Sequence, residues 1–310
     1  MTIKTTYTDQ VKELLTKAAG LDNNDGSPRV KTIVHRLLTD MFQTIEDLNI
    51  TPEEFWQGVY YLNDLGTNIP EAALLAPGLG FDHYLDIRMD AADAEAGLDG
   101  GTPRTIEGPL YVAGAPKSDG FARMDDGTED GDTLLLTGQV VDKTGNPIVN
   151  AKLELWHANL NGTYSYFDPS QSEYNLRRTI MTDAEGRYAM RSIIPSGYSV
   201  PPGGSTDIVL KQLGRHGNRP AHIHFFVSAD GFTHLTTQIN IAGDKYTYDD
   251  FAFGTREELV VPANSTSDVA EAKKYDLPEK YKKMVFDITL VATKDENAKV
   301  RHARARALEE

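Results

Sequence analysis

Apolar residues recur at helical spacing through roughly the first hundred positions and at strand spacing after them. Val11, Leu14, Leu15 and Ala18 follow Thr8, a candidate N-cap, and stop at Gly20, which predicts one short amphipathic helix. Ser27-Pro28 reads as a cap with proline at the first helical position, and Val30, Ile33, Leu37, Leu38, Met41 and Ile45 form a single stripe behind it. A third helix opens on Thr51-Pro52-Glu53-Glu54, a capping box with Pro at N1, and carries Phe55, Val59 and Leu62 toward Gly66. The apolar stripes face either the protein's own core or a second copy of the chain, and pattern alone leaves both open.

After residue 104 the rhythm changes to short apolar runs between turn residues. Thr133 to Val141 and Ala151 to Trp156 flank the turn Lys143-Thr144-Gly145-Asn146-Pro147, and Met284 to Val291 fits a last strand. Further turn signals stand at Asp183-Ala184-Glu185-Gly186, Pro195-Ser196-Gly197, Pro201-Pro202-Gly203-Gly204 and Ala229-Asp230-Gly231. This spacing predicts an antiparallel sandwich or barrel. The fold class expected is α+β: a helical region over 1–103, an antiparallel β-sandwich over 104–292 and a charged tail over 293–310.

Composition narrows the chemistry. With 31 Lys+Arg against 46 Asp+Glu the formal charge is −15, so nucleic acid and anionic membranes are not expected as partners. There are no cysteines, which removes disulfides, thiolate metal sites and cysteine nucleophiles. Neither a signal-peptide pattern at the N-terminus nor a run of about 20 apolar residues is present, so a cytoplasmic location is expected.

The densest cluster of chemistry is Arg219-Pro220-Ala221-His222-Ile223-His224-Phe225, two histidines two apart at the start of an apolar strand. Period two puts both imidazoles on one face, with Ile223 on the other. Two imidazoles are half of a metal site, and without cysteine the other ligands must be carboxylates, tyrosines or water. Carboxylates would suit zinc or ferrous iron. Phenolates would suit ferric iron, because a hard trivalent cation ionises a phenol far below its usual pKa of about 10. With 14 tyrosines in the chain, chemistry alone nominates no pair.

Several motifs in order carry a resemblance: Leu74-Leu75-Ala76-Pro77-Gly78-Leu79-Gly80, Pro109-Leu110-Tyr111, Leu155-Trp156-His157-Ala158-Asn159, Gly162-Thr163-Tyr164-Ser165, Ile194-Pro195-Ser196-Gly197-Tyr198 and Arg219 to His224. Together they resemble the intradiol ring-cleavage dioxygenases, most closely their catechol 1,2-dioxygenase branch, from the helical region to about residue 290. The resemblance implies ferric iron, Fe(3+), held by Tyr164, Tyr198, His222 and His224, with Tyr198 released when the diol binds. It implies catalytic roles for Arg219, Gln238 and Tyr198, and substrate contacts from Leu74, Pro77, Ile106, Pro109, Leu110, Phe251 and Ala252. If Ala229-Asp230-Gly231 is the hairpin loop, Gln238 lies opposite His222 on the same face.

Implied partners are a small aromatic diol and O2, a second copy joined as a homodimer through the N-terminal helices, and a lipid at that seam. Catechol cleavage to cis,cis-muconate is the activity implied. A chlorocatechol or hydroxyquinol 1,2-dioxygenase is the nearest alternative, and a noncatalytic β-sandwich binding protein the alternative of another class. A carboxylated catechol fits least, because its carboxylate wants a cationic partner that the apolar contact set lacks.

Overall fold

The computed structural model describes residues 8–67 and 71–293, so the charged tail lies outside it apart from Thr293. The chain divides into two units, Met1–Asn68 and Ile69–Glu310.

The first unit contains three helices, α1 (Asp9–Ala18), α2 (Pro28–Asp47) and α3 (Pro52–Thr67). Each begins where its cap signal predicts. Thr8 and Ser27 accept from the amides of Val11 and Val30, both at 3.4 Å. Thr51 and Glu54 form the reciprocal box, Thr51 N–H to Glu54 at 2.9 Å and Glu54 N–H to Thr51 at 3.2 Å. None of the described α2 residues is buried, and Val30, Ile33, Leu37 and Met41 of its stripe are exposed.

The second unit opens with α4 (Glu71–Gly78) and α5 (Phe81–Glu95). Strands β1 (Lys117–Asp119), β2 (Phe121–Arg123), β3 (Thr133–Asp142), β4 (Lys152–His157), β5 (Arg177–Met181), β6 (Arg187–Ile193) and β7 (Tyr198–Ser199) follow. Next come α6 (Ser205–Gln212), β8 (Asn218–Arg219), β9 (His222–Ser228), β10 (Leu235–Ile241), β11 (Val260–Val261), β12 (Asn264–Thr266), α7 (Val269–Lys274), β13 (Tyr281–Val285) and β14 (Ile288–Leu290). One sheet runs β1-β5-β4-β9-β10-β11. The other runs β12-β13-β3-β6-β2 with β14 also on β3, and β7 pairs β8 apart from both.

The sheets are mixed, which corrects the purely antiparallel expectation. Central pairs β3/β6, β4/β5, β4/β9 and β9/β10 are antiparallel. Pairs β1/β5, β10/β11, β2/β6, β13/β3 and β14/β3 are parallel. These short strands arrive through crossovers and not through hairpins, so no tight turn reverses them.

The predicted last strand is interrupted too. Phe286 and Asp287 leave the ladder between β13 and β14, and the Phe286 carbonyl turns inward to accept from Tyr188 Oη at 2.7 Å. It lies so close to Gly138 that a Cβ there would stand 1.8 Å from the oxygen, which explains a glycine inside β3.

Both sheets contribute to one apolar core, with Leu134 and Leu136 of β3, Leu155 of β4, Met190 of β6 and Ile223 and Phe225 of β9. Strand β9 is buried on both faces. Ile223, Phe225 and Val227 enter that core, which leaves His222 and His224 on the opposite, equally dry face. A polar link also spans the sheets: His157 at the end of β4 lies 2.7 Å from Ser192 Oγ of β6 through Nε2 and 2.7 Å from its neighbour's carbonyl through Nδ1.

Burial, with Arg177 nearby, lowers the pKa of His157 to about 4 against the pull of the Ala158 carbonyl. A histidine lowered on folding favours the neutral form, so its stability is full above the unfolded pKa of about 6.5 and is lost as pH falls toward 4. Urea unfolding between pH 7 and pH 4 should show this group costing roughly 3 kcal/mol, and His157→Gln should remove that share of the pH dependence.

Candidate metal centre

Strand β9 starts the site because its first residues reach it rigidly. His222 Nδ1 lies 2.7 Å from the Pro220 carbonyl, which fixes the proton there and leaves Nε2 bare. His224 faces Trp156 across the β4/β9 ladder, and the rings stack with centroids 4.7 Å apart at 7°. The two Nε2 atoms stand 3.0 Å apart, and Tyr164 Oη lies 3.4 Å from that of His222. Atoms that share a metal at 2.0–2.1 Å are spaced by about 3 Å, so this is a ligand spacing.

Tyr164 is brought in by the loop after β4. Asn159 Oδ1 accepts from the amides of Asn161 and Thr163, each at 3.0 Å, and Thr163 Oγ1 donates to Asp168 at 2.6 Å. The Arg177 guanidinium, itself buried, lies over the Tyr164 ring at 5.8 Å and donates to Ser165 through Nε and Nη2, both at 3.0 Å.

Tyr198 arrives on β7, directly opposite Arg219 of β8. Two glycines permit the approach: a Cβ on Gly197 would lie 2.5 Å from the Arg219 carbonyl, and one on Gly162 would lie 2.8 Å from Tyr198 Cβ. The half-buried Tyr198 ring packs edge-on to Tyr164 with centroids 5.6 Å apart, and 5.6 Å from His222. The four predicted ligands are therefore gathered at one place.

The donor set fits a hard cation. Burial lowers His222 to about 3, with Arg219 adding to the effect, and lowers His224 well below the usual value, so both imidazoles offer neutral lone pairs. Burial and Tyr198 raise Tyr164 well above the ordinary phenol range, so only a strong cation would ionise it. Among the described residues no three of His, Asp and Glu gather at a metal-binding distance, while Tyr164 Oη stands 3.4 Å from His222 Nε2 and the Tyr198 ring packs against both.

Gln238 reaches the site by a register different from the expected one. It pairs with His224, and Asn240 pairs with His222. The connection is longer than a three-residue loop, because Phe232 pairs with Ala292 and Thr233 N–H donates to the Val291 carbonyl at 2.8 Å, which draws both out of the hairpin. The slip is two residues, so Gln238 keeps the face of the histidines.

Arg219, also buried, donates to Asp250 through Nε at 3.2 Å and Nη2 at 3.0 Å, and Nη2 donates to Gln238 Oε1 at 2.9 Å. Its Nη1 lies 3.2 Å from His222 Nε2. Burial opposes both charges of the pair, yet their attraction holds Asp250 below and Arg219 above the ordinary ranges. Asp250 further accepts from the amides of Ala252 at 3.0 Å and Gly254 at 3.1 Å.

Of the predicted substrate contacts, Leu74, Ile106, Phe251 and Ala252 share one apolar cluster with Val200 and Leu210. Pro77 is buried in α4, and Pro109 is half-buried. Leu110 packs elsewhere, against the cluster of Trp156, Tyr164 and Phe226. Sequence reasoning missed Asp250, the stacking of Trp156 on His224, and Arg177. Trp156 alone had a local signal, its place in the strand that ends at His157.

Comparison with known proteins gives the family. The family model described as "Dioxygenase" matches residues 106–292, and "Catechol dioxygenase N terminus" matches 27–97. A catechol 1,2-dioxygenase of Acinetobacter baylyi is 57% identical over 298 residues, 95% of this chain and 96% of the relative. One from a Pseudomonas sp. is 56% identical over 302 residues, covering 97% and 100%. The crystal structure of catechol 1,2-dioxygenase from Pseudomonas arvilla C-1 superposes with a TM-score of 0.93 at 54% identity, covering 99% of both chains. The chain thus belongs to the intradiol ring-cleavage dioxygenases, oxidoreductases that open aromatic diols. Within that family it groups with the catechol 1,2-dioxygenases.

Gly254 lies against the polar cluster so closely that a Cβ would stand 2.4 Å from Arg219 Nη2 and 3.1 Å from Gln238 Nε2. Gly254→Ala should therefore displace Arg219 and slow turnover by about tenfold to a hundredfold while metal content stays at the wild-type level, as measured by kinetics and elemental analysis.

Proposed function

We propose that this chain cleaves catechol between its two hydroxyl-bearing carbons, with O2, to give cis,cis-muconate, and that Tyr164, Tyr198, His222 and His224 hold one ferric ion for the purpose. The observation that carries the reading is the meeting of two imidazole nitrogens and a phenol at ligand spacing, with Tyr198 and Arg219 beside them and, among the described residues, no third His, Asp or Glu gathered there. Ferric iron in that set would bind the diol as its dianion and make the ring electron-rich enough to react with O2.

The protein's own groups divide the remaining work. Tyr198 is the ligand suited to leave, because it is half-buried on a two-residue strand while Tyr164 is buried and anchored by its loop. Its phenolate oxygen, once free, would take one of the diol's two hydroxyl protons, and the second would go to hydroxide. Arg219 keeps a positive charge next to His222 and stabilises negative charge that develops on the ring. Gln238 fixes Arg219 through Nη2. Leu74, Pro77, Ile106, Phe251 and Ala252 wall the ring and exclude water, with Pro109 and Leu110 on the chain that follows Ile106.

Oxygen uptake with catechol, 4-chlorocatechol and hydroxyquinol, with products identified, tests the reading. Catechol should be the best substrate, and cleavage outside the hydroxyls would refute the assignment. The loaded protein should be red from phenolate-to-iron charge transfer, and chelation should remove colour and turnover together; a colourless zinc-loaded protein would mark a binding protein instead. Arg219→Ala should retain iron and lose about a hundredfold or more in kcat.

The exposed stripe of α2 favours a homodimer through the N-terminal helices, with an apolar seam able to take a lipid chain. Sedimentation should give twice the chain mass, and Leu37→Glu with Met41→Glu should reduce it to one; mass spectrometry of the extracted protein reports any lipid.

A further inference from the structure

Charges inside a protein are paired as a rule, because an ion taken out of water loses its hydration and regains that energy only from a partner. Arg219 follows the rule, with Asp250 at 3.0 Å. Arg177 departs from it: the side chain is 1% exposed, and the ionisable groups that act on it are three phenols, Tyr164 before Tyr111 and Tyr174, with no carboxylate among them. Its Nε donates to Ser165 Oγ and its Nη2 to the Ser165 carbonyl, both at 3.0 Å. Its Nη1 is buried without an acceptor among the described residues.

The backbone is strained on both sides of this contact. Leu176, fully buried and directly before Arg177, has φ 59°, in the left-handed region that a leucine avoids, and Tyr166, two residues after Tyr164, has φ 74°. The guanidinium thereby comes to lie over the Tyr164 ring at 5.8 Å while it grips the next residue, Ser165, whose hydroxyl donates in turn to the Asn175 carbonyl at 2.6 Å. A neutral phenol is a weak partner for a buried cation, and a phenolate is a strong one. Binding of a hard metal ion converts the first into the second.

We infer that Arg177 is a positioning residue for the metal centre: a buried counter-ion, held ready over the Tyr164 ring, for the negative charge that this phenol carries once it binds the metal. It acts through Tyr164 and not on the diol. The inference rests on the ferric site proposed above. It couples metal binding to stability, because the metal-free protein holds a lone buried cation and the loaded protein a paired one.

The test uses the full chain, metal-free and reloaded with ferric iron, as wild type, Arg177→Gln and Arg177→Lys. Glutamine removes the charge but keeps an amide N–H for Ser165, and lysine keeps the charge. A cation against the donor ring holds the phenolate electrons at lower energy, so its loss in Arg177→Gln should move the visible phenolate-to-iron band to longer wavelength. Arg177→Lys should recover most of that shift. Iron affinity, read by competition with a chelator, should fall about tenfold to a hundredfold in Arg177→Gln, and the rise in Tm on iron loading should be smaller than in wild type. A merely structural role would lower Tm alike with and without iron and leave the band in place. An unshifted band in Arg177→Gln would overturn the inference, as would a shift in Arg177→Lys as large as that in Arg177→Gln. Failure of metal-free Arg177→Gln to fold would overturn it too, since Arg177 would then be a structural anchor. A wild-type protein that takes up ferric iron without a red band would instead refute the underlying metal site.

Discussion

Two buried imidazole nitrogens 3.0 Å apart set the terms for everything around them. His222 has its proton on the far nitrogen, given to Pro220, so its near nitrogen presents a lone pair to its neighbour. Burial and Arg219 press both rings toward the neutral form, so each keeps one unprotonated nitrogen. A cation between them would draw on both rings, and the surrounding chain brings two phenols to that point. The sheet supplies rigidity: β9 is buried on both faces, so neither histidine can move without disturbing the core behind it.

Around this point, flexibility is graded. Tyr164 sits at the end of a loop tied by Asn159, Thr163 and Asp168, under a stacked guanidinium. Tyr198 stands on two residues of strand with less cover. The same atom type is therefore offered twice with different freedom, as the proposed exchange of one ligand requires. The α4 helix joins this system through Glu71, whose buried carboxylate accepts from Thr206 N–H at 2.9 Å in the first turn of α6. Leu74 and Pro77, which α4 carries, and the chain leaving Tyr198 are thus fastened together.

How far the sequence disclosed this depended on distance along the chain. Helix starts at Thr8, Ser27 and Thr51 were legible because capping is settled within four residues. The shared face of His222 and His224 was legible from strand period alone. Tyr164 and Tyr198 were not, since nothing local separates them from twelve other tyrosines, and only the family motifs singled them out. Parallel edge strands escaped notice because their direction is set by distant partners. Asp250 left no trace for the same reason: its partner lies 31 positions away, joined by no motif.

The hairpin between β9 and β10 carries a constraint on natural and laboratory variation. Its length set the pairing of Gln238 with His224, and the two-residue difference from a minimal loop was harmless because faces repeat every two residues. Insertions or deletions in residues 228–234 that change the count by two slide β10 along β9 and keep its polar side toward the histidines, though against new neighbours. A change of one turns that side into the core and brings Ile239 into the centre in its place. Indels in this stretch are thus filtered by parity before they are filtered by size, a rule that reads directly on alignments of relatives and on loop grafts alike.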